Sequence, residues 1–336
     1  MTQFTPAPTN PKEQAVKLNM KKLIKRDANR WALTTVIANL VISVLLLVFE
    51  VFKPLMPISV YYFIDSDMGE LVQQIVFSVL MFTVPYIIVT AISKQKVKDL
   101  IQIKWKKPIK TIPLIMMGLG AAMVINLLVS QFVTLLESYG IDTSAPSLEM
   151  PQGIVGAALY VFVLTAVPAV VEEFAFRGLV LGSLKKYGSG YAIIISAVLF
   201  GLMHGNIVQI PFATLLGLVM GYVAVATGSI IPCVIIHFLN NLMAGVEEVV
   251  ARYSGETARI VAVYSCFIAY VIIGIIGFVI VCKKYKHPFD NIKEKGALSV
   301  LESTKAALTS GGVITAIIYY GGTACLILLT NQMTGL

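Results

Sequence analysis

The sequence predicts an all-α protein, a polytopic transmembrane helical bundle of about eight to nine spans with a cytoplasmic N-terminus. Three observations carry this. Of 336 residues, 57% are hydrophobic and 13% charged, against about 25% charged in soluble domains. The apolar residues gather into runs, several of them near the ~20 residues that cross a bilayer core as helix. The basic residues cluster between those runs. The net charge of +8 therefore reads as membrane orientation, and nucleic acid is not an expected partner.

Residues 1–30 form a basic cytoplasmic tail. The first twenty, with Pro6, Pro8 and Pro11, are expected to be flexible. No apolar segment with a small-residue cleavage site precedes Trp31, so no secretory signal is expected. Spans are expected near 31–52, 71–92, 112–135, 153–184, 190–205, 209–227, 229–246, 259–282 and 311–330. The stretch 190–246 is nearly continuous, so its divisions are soft. With the N-terminus inside, cytoplasmic segments hold seven Lys/Arg before Trp31, seven in 93–110, three in 177–186 and six in 283–305. Only Lys53, Arg252 and Arg259 of the 26 fall elsewhere. That bias orients the bundle, with a plasma membrane, most simply a bacterial one, as the expected location. The outer loops then carry acids, among them Asp65, Asp67 and Glu70.

The organisation follows in four parts: the tail, N-terminal helices over 31–152, a core over 153–246, and C-terminal helices over 247–336. Basic cytoplasmic loops are expected at 93–110 and 283–310. The first of these, "KQKVKDLIQIKWKKPIK", sets Leu100, Ile101, Ile103 and Trp105 among seven lysines. It reads either as an interfacial element on the inner leaflet or as a solvated loop. The four cysteines lie in or at the ends of apolar segments, so no disulfide framework is expected.

Polar residues inside the spans after residue 150 are few. They are Glu172, Glu173 and Arg177 in "VVEEFAFRG", His204 in "FGLMHGN", and His237, Asn240 and Asn241 in "IIHFLNNLM". The remaining histidine, His287, falls in a basic loop. Ionisable groups in hydrocarbon cost at least ~2.5–3.5 kcal/mol each and normally face a protein interior or a wet cavity. A single histidine there can be a packing hydrogen-bond donor. Two histidines, two glutamates and an arginine within 66 residues are harder to assign to packing.

Depth supports a meeting point. The run 153–184 is about 48 Å long as a helix, more than the ~30 Å core, and Pro168 offers a kink. Glu172 then lies roughly 20 Å from the Lys185 end, His204 about as deep, and His237 with Asn241 at roughly 12–18 Å. On helical spacing Glu173 and Arg177 are i,i+4 and can pair. Glu172 points about 100° away, free to face His204. His237 and Asn241 stack on one face. Asn240 is off it, and an interhelical hydrogen bond is its expected role.

Glu172 with His204 can position and deprotonate a water. His237 and the Asn241 amide are donors suited to an oxyanion. The set fits hydrolysis of a peptide bond without a covalent nucleophile and without a cofactor. Two other chemistries stay open. Two histidines and a glutamate also form a catalytic zinc set, although no HExxH is present. Cys233 and His237 are i,i+4, but an apolar membrane cysteine is usually filler.

In order, EExxxR (Glu172, Glu173, Arg177), FxxxH (Phe200, His204) and HxxxN (His237, Asn241), the last led by "TGS", resemble the motifs of the CAAX protease and bacteriocin-processing family, also called CPBP or ABI. The resemblance covers about residues 153–246. It implies an intramembrane glutamate-type endopeptidase. By position Glu172 and His204 would activate water, and His237 and Asn241 would form the oxyanion site. Glu173 and Arg177 would be structural or positioning residues. Zinc-dependent and metal-free members are both described. The implied partners are the lipid bilayer and a peptide or membrane-protein substrate, in peptide maturation, bacteriocin immunity or membrane-protein turnover. Nothing in the sequence specifies an oligomeric state. Two competitors remain: a non-catalytic scaffold or immunity protein that keeps the fold, and a transporter or proton relay. The relay reading lacks paired inverted halves. Gly217 and Gly221 form a GxxxG, read as helix packing.

Overall fold

The computed structural model describes residues 10–106, 108–144, 148–284 and 297–334. Among these the chain is helical and contains no strand. The main helices are α1 Pro11–Phe52, α2 Asp67–Ile92, α3 Pro108–Ser138, α4 Gly153–Glu173, α5 Ser189–Leu202, α6 Gln209–Thr227, α7 Ile231–Lys284, α8 Val300–Leu308 and α9 Gly311–Thr334. Among the described residues seven helices are long and apolar enough to cross a membrane, as a multi-pass membrane protein requires.

Helix α7 accounts for two of the expected runs. Gly255 adopts φ 82°, ψ 174°, a conformation that only glycine takes up easily. Tyr270 donates to the Leu239 carbonyl at 3.1 Å, whereas 31 residues of straight helix would separate them by ~46 Å. The chain therefore doubles back into two antiparallel arms, 231–254 and 256–284. Arg259 ties the reversal by pairing with Glu247 and Glu256.

At 14 residues, α5 extends only ~21 Å and falls short of the ~30 Å bilayer core. It sits inside the bundle, with most of its residues buried. The chain leaves it through His204 and Gly205, the latter at φ 60°. Asn206 Oδ1 then accepts from the backbone N–H groups of Val208 and Gln209 at 2.8 and 3.1 Å, which starts α6. Irregular backbone at this depth is tolerated because protein surrounds it.

Two expectations need correction, and a third gains a structural anchor. Residues 11–20, taken as flexible, belong to α1. Pro11 occupies its first turn, Asn10 caps it, and Glu13 pairs with Lys17. Further on, Ile24, Ala28 and Trp31 recur on one face and are fully buried. Residues 1–9 lie outside the described residues. The basic segment 93–106 is anchored to the bundle at its middle, while Gln102, Ile103 and Lys104 stay exposed. Ile101 is buried against Gly178, the Gln102 carbonyl accepts from Ile230 N–H at 3.0 Å, and the Ser229 hydroxyl donates to the Ile103 carbonyl. The expected loop 283–310 contains α8. Its Ser299–Glu302 capping box holds Glu302 below its usual range, through the backbone N–H of Ser299 first and its hydroxyl second. Residues 285–296, with His287, lie outside the described residues.

Two contacts lock the frame. Small residues let α3 cross the second arm of α7 closely, as in other membrane helix pairs. A Cβ on Gly120 would stand 2.5 Å from Gly274 Cα. Gly120→Leu is expected to cost about 1–3 kcal/mol through overpacking, measured as a lower melting temperature in detergent. An unchanged melting temperature would count against this contact. The second contact is a clasp between α1 and α9. Asn29 accepts from Gly312 N–H, the Thr35 carbonyl from Tyr320, and Asn39 from Tyr319, at 2.6, 2.9 and 2.7 Å. From Trp31, aromatic rings step inward through Tyr86 and Phe176 to Phe200, with centroids 5.3–6.1 Å apart.

Candidate active site

Helix α4 carries the first polar residues, and two departures from regular helix place them. Pro168 lies within it. Lacking an N–H, it leaves the Leu164 carbonyl without its helical donor. The Asn241 amide donates to that carbonyl at 3.2 Å. Beyond Glu173 the helix widens into seven residues of π-helix, Phe174–Val180. Such turns are rare and gather at functional sites.

Glu173 and Arg177 are fully buried and pair at 2.8 Å, as their spacing predicts. Their role is wider than a pair. The same Glu173 oxygen faces His237 Nδ1 at 3.0 Å. Arg177 also lies over the Phe200 ring, 4.1 Å from its centroid, a cation–π contact. Gly217 makes room for it, since a Cβ there would come within 3.3 Å of the guanidinium. A carboxylate only accepts hydrogen bonds, so Glu173 beside Arg177 requires the proton of His237 on Nδ1. The Nε2 atom then faces Glu172, with Oε2 at 3.9 Å. That is too long for a direct hydrogen bond.

Glu172, His204, His237 and Asn241, expected to meet, line one cavity of about 150 Å³ together with Pro168 and Phe200. At ~30 Å³ per water, it has room for several waters or a peptide group. Glu173 and Arg177 stand behind it. His204 Nδ1 lies 2.9 Å from the Phe200 carbonyl. A carbonyl also only accepts, so Nδ1 carries the proton and Nε2 is left for the cavity.

Asn240 does not make the expected interhelical hydrogen bond. Its amide donates to Asn241 Oδ1 at 3.2 Å. Asn241 is thus held from both ends, with one N–H still available. Cys233 is fully buried, donates to the Met220 carbonyl at 3.1 Å, and does not line this cavity. Among the described residues no group of three His, Cys, Asp or Glu side chains is placed as a metal-ligand set, so no step is routed through zinc.

Sequence reasoning missed the Leu164 carbonyl, the second partner of Glu173 and the wall from α6, formed by Gln209, Phe212 and Leu216. Pro168 was the available signal for the first, because a proline marks the carbonyl four residues earlier as unpaired.

Residues 154–243 match the family described as type II CAAX prenyl endopeptidase Rce1-like. These residues include Glu172, Glu173, Arg177, His204, His237 and Asn241. One curated relative is the membrane-embedded CAAX protease MroQ of Staphylococcus aureus (strain USA300). It is 24% identical over 211 residues, which span 60% of this chain and 85% of the relative. No solved structure matches the chain significantly.

Proposed function

This chain is a multi-pass membrane protease of the CAAX protease and bacteriocin-processing family, and on that premise we propose that it cleaves a peptide or membrane-protein substrate with a water activated by Glu172 and His204. The observation that carries the reading is the single cavity shared by Glu172, His204, His237 and Asn241. Glu172 takes a proton from the water, and His204 Nε2 fixes the water's other side. The oxygen attacks the carbonyl carbon and charge develops on the carbonyl oxygen. Asn241 donates its remaining N–H to that oxyanion, and His237 donates from Nε2 when it carries a second proton there in addition to the one on Nδ1. Preorganised donors of this kind are among the largest contributors to catalysis. As the tetrahedral intermediate collapses, the C–N bond breaks and Glu172 returns its proton to the leaving amine. No cofactor enters these steps. Peptide maturation or bacteriocin immunity at a bacterial plasma membrane is the setting in which we place the reaction.

Glu173 is a positioning residue here. It fixes the His237 tautomer and ring orientation, as the aspartate does in serine-protease triads. Glu173→Gln is expected to lower kcat about 10²–10⁴-fold with KM little changed, the pattern of a lost transition-state interaction. A change confined to KM would remove Glu173 from this role.

The function itself is tested by comparing N-terminal peptides from membranes of cells carrying the wild type and Glu172→Gln. Products that vanish in the variant, while the protein accumulates normally, support the protease. Identical peptide sets with full biological activity would favour a scaffold that has kept the fold.

A further inference from the structure

A second, larger cavity of about 650 Å³ lies between α1, α2 and α4. Its volume falls within the roughly 300–1,000 Å³ of ligand sites. It is a groove between two helices. Its lining runs from Asn39 along α1 to Lys53 just beyond it, and along α2 from Asp67 to Phe82, which is ~21–22 Å on each. Polar side chains recur at helical spacing down its length, including Glu70, Gln74 and Ser78 on α2. In helices otherwise made for lipid, such residues call for a polar occupant.

The two ends of the groove differ. The far rim carries the carboxylates of Glu50, Asp65, Asp67 and Glu70 around one cation, Lys53. Lys53 is already engaged by Asp65 at 2.6 Å and Glu50 at 3.4 Å. Asp67 and Glu70 lie in the first turn of α2, where a helix favours acids. That does not explain Glu50, which lies in the last turn of α1, where the helix dipole opposes a carboxylate. The near end is formed by Leu164, Pro168 and Glu172. Pro168 and Glu172 also wall the catalytic cavity. Glu172 is only 8% exposed, and its Oε2 has no hydrogen-bond partner among the described residues. The groove therefore ends at the side chain of the proposed base.

We propose that this groove binds the substrate chain on one side of the scissile bond, as an extended segment whose basic side chain sits at the acidic rim. At ~3.3–3.6 Å per extended residue, the groove holds about six residues. Specificity then lies in a Lys or Arg some six residues from the cleaved bond. The assignment rests on the protease reading of the same Glu172, and its test separates the two.

Purified protein in nanodiscs would be given fluorescent twelve-residue peptides carrying Lys or Glu at each position in turn. Asp67→Lys/Glu70→Lys would be compared with the wild type at low salt. The wild type is expected to favour Lys about six residues from the cut by about fivefold, the scale of two exposed ion pairs. The double variant should favour Glu there. Cleavage with no charge preference, or with a preference the variant does not alter, overturns the groove. Binding to Glu172→Gln by fluorescence anisotropy gives the second readout. If no peptide is cut but Lys peptides bind and the rim substitutions reverse that selectivity, the groove stands and the protease reading fails. Equal binding of Lys and Glu peptides, as for a water-filled vestibule, overturns the groove assignment.

Discussion

Glu172→Gln is expected to reduce peptide cleavage by about 10⁴-fold, the upper range for loss of a general base, while leaving the fold intact. Both halves follow from its surroundings. Glutamine keeps the shape and polarity of the side chain but cannot take a proton. Glu172 has no ion pair to a fixed cation, and its nearest charged partner is His237 Nε2 at 3.9 Å. Removing its charge strands no buried counterion, so the protein should accumulate and melt near the wild-type temperature. The measurement is single-turnover cleavage of a peptide substrate beside a melting curve in detergent. Residual cleavage within tenfold of wild type would remove Glu172 as the base. A melting temperature that falls with activity would make it a structural residue.

Arg177→Ala is expected to do the reverse, failing in stability before chemistry can be assayed. Arg177 and Glu173 are 2% and 0% exposed, and the guanidinium fills the space between Phe200 and Gly217. Breaking a buried pair from one side costs about 3–5 kcal/mol, because the remaining charge stays buried. A loss of that size lowers cellular abundance several-fold or more. Replacing both partners, as in Glu173→Gln/Arg177→Met, should restore much of the protein, since an apolar substitute for an ion pair can be close to neutral. It should not restore cleavage, because His237 loses its carboxylate. The check is a comparison of folded yields by gel filtration. Normal yield of Arg177→Ala, or no recovery in the double variant, would count against the pair as the source of stability.

Much of the site was legible in the sequence for one reason. Ionisable residues stand out in apolar runs, and their cost in lipid forces them toward one another. Helical spacing paired Glu173 with Arg177 and separated Glu172 from both. It did not reveal the π-helical turn of Phe174–Val180, which follows from packing. Nor did it show that the Glu173 oxygen serves two donors, one of them 64 residues away in α7. Pro168 was legible as an interruption. Its effect, a carbonyl delivered to Asn241, required knowing where α7 passes. The flexible tail was misjudged because charges mask the buried face of Ile24, Ala28 and Trp31. The anchoring of segment 101–103 was not legible because its docking partners, Gly178 and Ser229–Ile230, are remote in sequence.

The clasp between α1 and α9 has a consequence for the order in which the protein is made. The donors that reach Asn29, Thr35 and Asn39, namely Gly312, Tyr320 and Tyr319, are synthesised 280 to 285 residues after them. Contacts that distant close slowly, because much chain must be ordered first. Until α9 inserts, the side chains of Asn29 and Asn39 lack these donors, and unpaired polar groups of this kind mark an unfinished membrane protein. Asn39 also lines the large groove. Helix α9, which carries no catalytic group, thereby fixes Asn39, one side chain of the groove's wall, through Tyr319.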